Sequence, residues 1–162
     1  MTVIASLVVG SDGSTTPSNL LTNESDRAAF LALRKSVDCI MTGGETFRSE
    51  SYRHTPVPLV VISRTMTQPD EKNPDAYFWN LEPSEAINRV LKEFGSRIHV
   101  ECGPNLLTLM IEERLIDELH LTITTKSGGS GLFNSEEVLN HFQSIERYSE
   151  GTNEIIVATK PK

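Results

Sequence analysis

Residues 37–48 read Val-Asp-Cys-Ile-Met-Thr-Gly-Gly-Glu-Thr-Phe-Arg. Residues 38–41 form a short strand-like run that passes directly into Thr42-Gly43-Gly44, where a helix begins. The same grammar returns at residues 97–106: a strand over 97–101, the turn Cys102-Gly103-Pro104, and a helix over 105–113. Strand, small-residue turn and helix, repeated in this way, mark βα units and so a parallel sheet. Working outward, residues 2–9 (Thr-Val-Ile-Ala-Ser-Leu-Val-Val) and 57–62 (Val-Pro-Leu-Val-Val-Ile) suit strands buried on both faces. Residues 22–26 offer N-cap side chains before a helical pattern through Ala29, Phe30, Leu33 and Val37. Pro83 opens a second helix that places Ala86, Ile87, Val90, Leu91 and Phe94 on one face. Residues 10–19 and 65–80 read as loops, the latter irregular. Residues 117–124 alternate as a strand, and 142–148 with 154–159 read as an antiparallel pair. The expected architecture is α/β, a mostly parallel central sheet flanked by helices with antiparallel C-terminal strands, in a single domain over 1–162.

Composition narrows the function. Fifteen Lys and Arg stand against 22 Asp and Glu, a net charge of −7, with no basic run. That balance offers no electrostatic footprint for nucleic acid or an anionic membrane. The longest apolar runs fall far short of the ~20 residues that span a bilayer. The first residues also lack a signal peptide's basic flank and apolar run, so a cytoplasmic protein is expected. Cys39 and Cys102 lie in strand-like segments and read as buried free thiols. The four histidines have no ligand spacing, and neither CxxC nor HExxH occurs, so no metal is expected.

Ligands of open α/β sheets bind outside the carboxyl ends of the strands. Thr42-Gly43-Gly44 and Cys102-Gly103-Pro104-Asn105-Leu106 both stand there, each ahead of a helix whose free N–H groups suit a phosphate. Ser63-Arg64 follows the strand over 57–62 and offers a guanidinium for a further phosphate or a base. Neither GxGxxG nor GxxxxGK[ST] is present. Two helix starts and one arginine on one sheet edge describe a dinucleotide with an extra phosphate.

These segments resemble the riboflavin-pathway pyrimidine reductases, NADPH enzymes of the dihydrofolate-reductase-like superfamily. Residues 38–48 are similar to their D-x-h-h-x-G-x-x-T-x-R segment, with h apolar. Residues 100–106 (Val-Glu-Cys-Gly-Pro-Asn-Leu) resemble V-E-G-G-P-x-L, with Cys102 in place of the first glycine. Residues 115–123 resemble L-h-D-E-L-h-L-x-h, Ser11-Asp12-Gly13 their first loop, and Gly129-Ser130-Gly131 a late G-x-G. The five matches stand in the family's order.

The resemblance implies hydride transfer from NADPH to the ribosyl carbon of an aminopyrimidine ribosyl phosphate. It implies that Thr42, Gly43, Thr46 and Arg48 lie along the nicotinamide and pyrophosphate, and that Ser63 and Arg64 receive the 2′-phosphate. Gly103, Pro104, Asn105 and Leu106 would form the second phosphate turn. Asp12 and Glu101 would face the substrate as the catalytic carboxylates. The first loop lacks the basic residue common in the family, which leaves Arg27, Arg48 and Arg53 as candidate partners for a substrate phosphate. No deaminase-like segment is seen, so deamination is expected of a separate chain. A homodimer is expected from the resemblance and from late apolar residues such as Leu132, Phe133, Phe142 and residues 155–157. The alternatives are a non-catalytic or repurposed nucleotide-binding protein on this fold, and a dihydrofolate reductase. Asp117-Glu118 is expected to close a turn, His120 to be a core or interface histidine, and Trp79 to anchor its loop.

Overall fold

Eight strands form one sheet in the order β4-β3-β2-β5-β1-β6-β8-β7, seen in a computed structural model that describes residues 1–66 and 71–162. The first six strands are β1 (Thr2–Val9), β2 (Cys39–Gly43), β3 (Leu59–Ile62), β4 (Tyr77–Trp79), β5 (Arg97–Glu101) and β6 (Glu118–Ile123). All pairings among these are parallel. The last two, β7 (Phe142–Glu150) and β8 (Asn153–Pro161), are antiparallel and extend the sheet beyond β6. This is the expected mixed α/β sheet.

The helices are α1 (Ser18–Leu21), α2 (Glu24–Lys35), α3 (Gly44–Ser49), α4 (Pro83–Glu93), α5 (Pro104–Glu112) and α6 (Ser135–Leu139). Apolar residues divide between the two sheet faces by strand alternation. Met41, Val60, Ile62 and Val100 join Ala86, Ile87 and Val90 of α4 and Leu107, Met110 and Ile111 of α5. Ile40, Leu59 and Val61 point the other way, onto Phe47 and Tyr52. The helix α4 buries the stripe its spacing predicts, and a reciprocal capping box between Glu82 and Glu85 starts it.

Three differences from the sequence reading have local causes. The segment 65–80, expected to be irregular, contains β4, whose three residues gain order by pairing with β3; residues 67–70 of that segment lie outside the described residues. Trp79 is buried there, stacked on Phe94 at 6.2 Å, as an anchor. The short helices α1 and α6 occupy stretches too brief to show a helical period. The strand β1 is not buried on both faces throughout: Ser6 and Val8 are half-buried because their face opens onto a cleft, while Leu7 on the other face packs, partly buried, against the core.

The chain runs from β1 outward through β2, β3 and β4, then returns to insert β5 between β2 and β1. That reversal is the topological switch point, where a crevice forms at the carboxyl ends of the strands. Register sets Thr42 of β2 opposite Glu101 of β5, so both strands end together at this crevice.

Candidate functional site

Strand alternation puts His99 and Glu101 of β5 on the same face, and both are buried. A carboxylate only 4% exposed needs partners, and Glu101 has several. Arg34, in the last turn of α2, grips it with two bonds, Nε to Oε2 at 2.8 Å and Nη2 to Oε1 at 2.6 Å. The Tyr52 hydroxyl donates to Oε1 at 2.9 Å. His99 Nδ1 lies 3.1 Å from Oε2, outside hydrogen-bond alignment. Its other ring nitrogen, Nε2, is 2.7 Å from Ser6 Oγ on β1.

The guanidinium of Arg34 is fixed on both sides, over the rings of Phe30 at 4.5 Å and Tyr52 at 5.3 Å. Phe30 and Arg34 stand one helical turn apart on α2, which is why the same face presents both. With the N–H of Nε and one N–H of Nη2 committed to Glu101, Arg34 keeps both Nη1 hydrogens and the second Nη2 hydrogen for a ligand.

Burial alone would push the Glu101 carboxyl up. The contacts with His99 and Arg34 outweigh it and hold the carboxyl below its ordinary value. Burial, then the neighbouring Glu101 charge, raises the Tyr52 hydroxyl well above its ordinary range. At neutral pH the cluster therefore holds a carboxylate, a neutral phenol and a guanidinium.

This cluster forms the floor of a cleft of about 490 Å³. The inner face of α2 makes one wall, through Phe30, Leu33 and Arg34; β1 and β6 make another, through Ser6, Val8, His120 and Thr122. Thr46, Cys102 and Gly103 line the end that meets the strand termini.

Of the residues singled out in the sequence, Glu101, Thr46, Gly103 and Arg27 line this cleft. Asp12 does not. Its carboxylate accepts from Gly128 N at 3.0 Å, Ser14 N at 3.1 Å and Ser14 Oγ at 2.6 Å, pinning the first loop to the late glycine segment. Those bonds, the one from Gly128 foremost, lower it to about 2. The expected pair of catalytic carboxylates is thus separated, with Asp12 bound into a loop and Glu101 into an ion pair.

The expected cofactor residues are grouped at the crevice. Gly43 is the N-cap of α3 and Gly103 that of α5, with Pro104 in its first turn. A Cβ on Gly43 would meet Leu106 Cδ2 at 3.0 Å, so the two turns pack on each other through a glycine. Thr42 is buried at the end of β2, its hydroxyl without an aligned hydrogen bond. Arg48 is in the last turn of α3 with its guanidinium beside Gly44. Ser63 Oγ accepts from Thr65 N and Met66 N, shaping the turn that presents Arg64. The Arg64 side chain is 87% exposed and meets Glu82 only at 3.8 Å, so its guanidinium is free to take a phosphate.

Arg34, Tyr52 and Ser6 escaped the sequence reading, and His99 was read only as one of four scattered histidines. Period-two alternation with Glu101 was the available signal for His99; Arg34, 67 positions from Glu101, carried none. His120 is half-exposed at the cleft, 2.6 Å from Glu118 Oε1, and is not a core residue. Asp117 accepts from Val3 N at 2.8 Å, tying the start of β6 to β1. Both cysteines are buried and free, and burial pushes each thiol up to about 12. Among the described residues no cluster of metal-ligating side chains occurs, and no helix is long and apolar enough to cross a membrane.

The family described as the RibD C-terminal domain matches residues 1–153. No curated protein matches the chain. Among solved structures, a protein assigned to riboflavin biosynthesis from Shewanella sp. PV-4 superposes with a TM-score of 0.70 at 20% identity, each chain covered in full. Acinetobacter baumannii RibD gives a TM-score of 0.75 at 14% identity, covering 99% of this chain and 58% of that one. A Thermotoga maritima diaminohydroxyphosphoribosylaminopyrimidine deaminase/5-amino-6-(5-phosphoribosylamino)uracil reductase gives 0.72 at 12%, covering 99% and 56%. The chain spans a little over half the length of the latter two. At these identities the likeness is one of fold.

Proposed function

Because the chain belongs to the RibD C-terminal domain family, we propose that it is an NADPH-dependent reductase of riboflavin biosynthesis. Its substrate class is an aminopyrimidine carrying a ribosyl group, reduced at the ribosyl carbon. The observation that carries this reading is the crevice at the switch point, where two glycine-led helix starts flank a cleft floored by Glu101 and Arg34.

The residues at the crevice fit the cofactor. A Cβ on Gly103 would have only Thr46 Oγ1 nearby, at 3.6 Å, so backbone there is open to close approach. Asn105 and Leu106 offer first-turn N–H groups of α5 to a pyrophosphate, and Pro104 presets that turn. Thr42, Gly43, Thr46 and Arg48 would border the nicotinamide side, and Ser63 with Arg64 the 2′-phosphate. When bound, the nicotinamide supplies the hydride.

Within the cleft, Glu101 acts through Arg34 and does not move a proton itself, since its contacts favour the carboxylate. Held by Glu101 and two rings, Arg34 aims Nη1 at a substrate carbonyl. Arg27 stands on the same wall as a second substrate contact. Asp12 keeps the first loop in place from outside the cleft. A homodimer is part of the same reading; of the late apolar residues, Phe133, Phe142 and Ile156 are buried within the protomer, and the exposed ones left for a partner are Leu132 and Ile145. Two buried free thiols agree with a reducing, cytoplasmic location.

Thermal-shift titration with NADPH and NADH tests the cofactor. A ligand at a hundredfold excess over Kd stabilises the native state by about 2.7 kcal/mol. NADPH should raise the midpoint more than NADH, and Arg64→Ala should remove the difference. No shift with either would overturn the assignment and favour a repurposed binding protein.

A further inference from the structure

His99 is wholly buried on β5, and three neighbours fix its ring. Phe30 meets it edge-on with ring centroids 5.6 Å apart. Nδ1 faces Glu101 Oε2 at 3.1 Å, and Nε2 faces Ser6 Oγ at 2.7 Å. A neutral imidazole carries one hydrogen, and its two sides compete for it unequally. Glu101 is held as the carboxylate, whose oxygens can only accept. Even off hydrogen-bond alignment, a bare Nδ1 would set lone pair against lone pair at that distance, whereas a serine hydroxyl can turn its hydrogen either way. The hydrogen therefore belongs on Nδ1, Nε2 is the acceptor, and Ser6 donates to it.

Ser6 is half-buried on β1 and lines the cleft. With its single hydrogen committed to His99, its hydroxyl has lone pairs alone to offer a ligand. Among the described residues no other side chain bonds it; His120, opposite Ser6 in register on β6, is held by Glu118 at 2.6 Å. Arg34 has the reverse character, with three guanidinium hydrogens free and no acceptor. One carboxylate thus sets both polarities. Glu101 leaves donors for the cleft at Arg34 and, through the His99 tautomer, an acceptor at Ser6.

A ligand hydroxyl satisfies either kind of site by rotating, but a ring N–H has only a hydrogen to give and a carbonyl only lone pairs. Sites of fixed polarity therefore discriminate among nitrogen heterocycles. Resting on the reductase reading above, we infer that Ser6 is a specificity-determining residue whose Oγ accepts an N–H of the bound aminopyrimidine while Arg34 donates to its carbonyl. His99 acts through Ser6 as a positioning residue. A heterocycle that places a carbonyl at Ser6 meets lone pairs there and is turned away.

Two measurements on the full chain test this, both with NADP+, the oxidised cofactor that has no hydride to give. Long-range proton–nitrogen NMR correlation of isotope-labelled histidine, without and with 5-amino-6-(5-phosphoribosylamino)uracil, should show His99 protonated on Nδ1 and bare at Nε2 in both states. A proton on Nε2 in either state overturns the inference. Isothermal titration with the same aminopyrimidine should show Ser6→Ala binding it about five- to tenfold more weakly, with NADP+ affinity unchanged. Equal binding by Ser6→Ala, or a parallel loss of NADP+ affinity, overturns the inference and leaves the reductase reading standing. No binding of the aminopyrimidine by the unsubstituted chain overturns the reductase reading and the role of Ser6 with it.

Discussion

Replacing Arg34 by methionine removes the charge and keeps most of the apolar stem. The side chains of Arg34 and Glu101 are 11% and 4% exposed, so the variant leaves a carboxylate in a nearly dry site with Tyr52 and His99 beside it and no fixed cation. Breaking a buried pair from one side costs about 3–5 kcal/mol, against about 0–1 kcal/mol for a surface pair. At about 2–4 °C per kcal/mol for a chain of this size, the midpoint should fall by about 6–20 °C. The pH dependence identifies the cause. In the native protein the Glu101 carboxyl is held below its ordinary 4.5, so its contribution is fully present above that value and lost as pH falls through the lower folded value. In Arg34→Met one of the two contacts that lower the carboxyl is gone and it shifts upward, so acid should relieve part of the variant's penalty while removing the native protein's advantage. Urea unfolding at pH 7 and pH 5, with Glu101→Gln and the double variant, completes the cycle; a coupling of about 2–3 kcal/mol is expected at pH 7. A loss under about 1 kcal/mol at pH 7, or additive single effects, would refute the assignment of Arg34 and Glu101 as the central pair of the site.

Three further outcomes follow from separate contacts. Asp12 should titrate at about 2 in a carbon-detected NMR titration, because Gly128 and Ser14 hydrogen-bond its charged form; titration near the ordinary 3.8 would contradict the loop anchor. With burial pushing both thiols up to about 12, Cys39 and Cys102 should resist a thiol reagent in the native protein and react together in denaturant. Rapid native labelling of either would show that the site is not closed. Trp79→Ala should cost about 3–5 kcal/mol in urea unfolding, since the ring is 6% exposed and stacks on Phe94; a cost under about 1 kcal/mol would mean that β4 does not anchor its segment.

What could be read from the chain is what depends on near neighbours. The strand-turn-helix runs at 38–48 and 97–106 are legible because apolar runs, glycine N-caps and a first-turn proline act within a few residues. They fix two βα units and hence the parallel sheet and the crevice residues Gly43 and Gly103. Brief elements escape for the same reason: β4 has three residues and α1 four, too few for a period, and β4 takes its order from pairing with β3.

The cluster at the floor of the cleft belongs to the other kind of information. Glu101 meets residues 67 and 49 positions away in Arg34 and Tyr52, and His99 meets Ser6 across 93. The sequence placed Glu101 at a strand end and implied, by resemblance, that it shares a site with Asp12. Only the insertion of β5 between β2 and β1, with α2 lying across the result, decided that Glu101 is buried, that Arg34 must neutralise it, and that Asp12 stands elsewhere. Alternation along a strand determines which side chains share a face, but which charges cover that face, and so whether a carboxylate is a proton donor or half of an ion pair, is set by elements that meet only when the sheet closes.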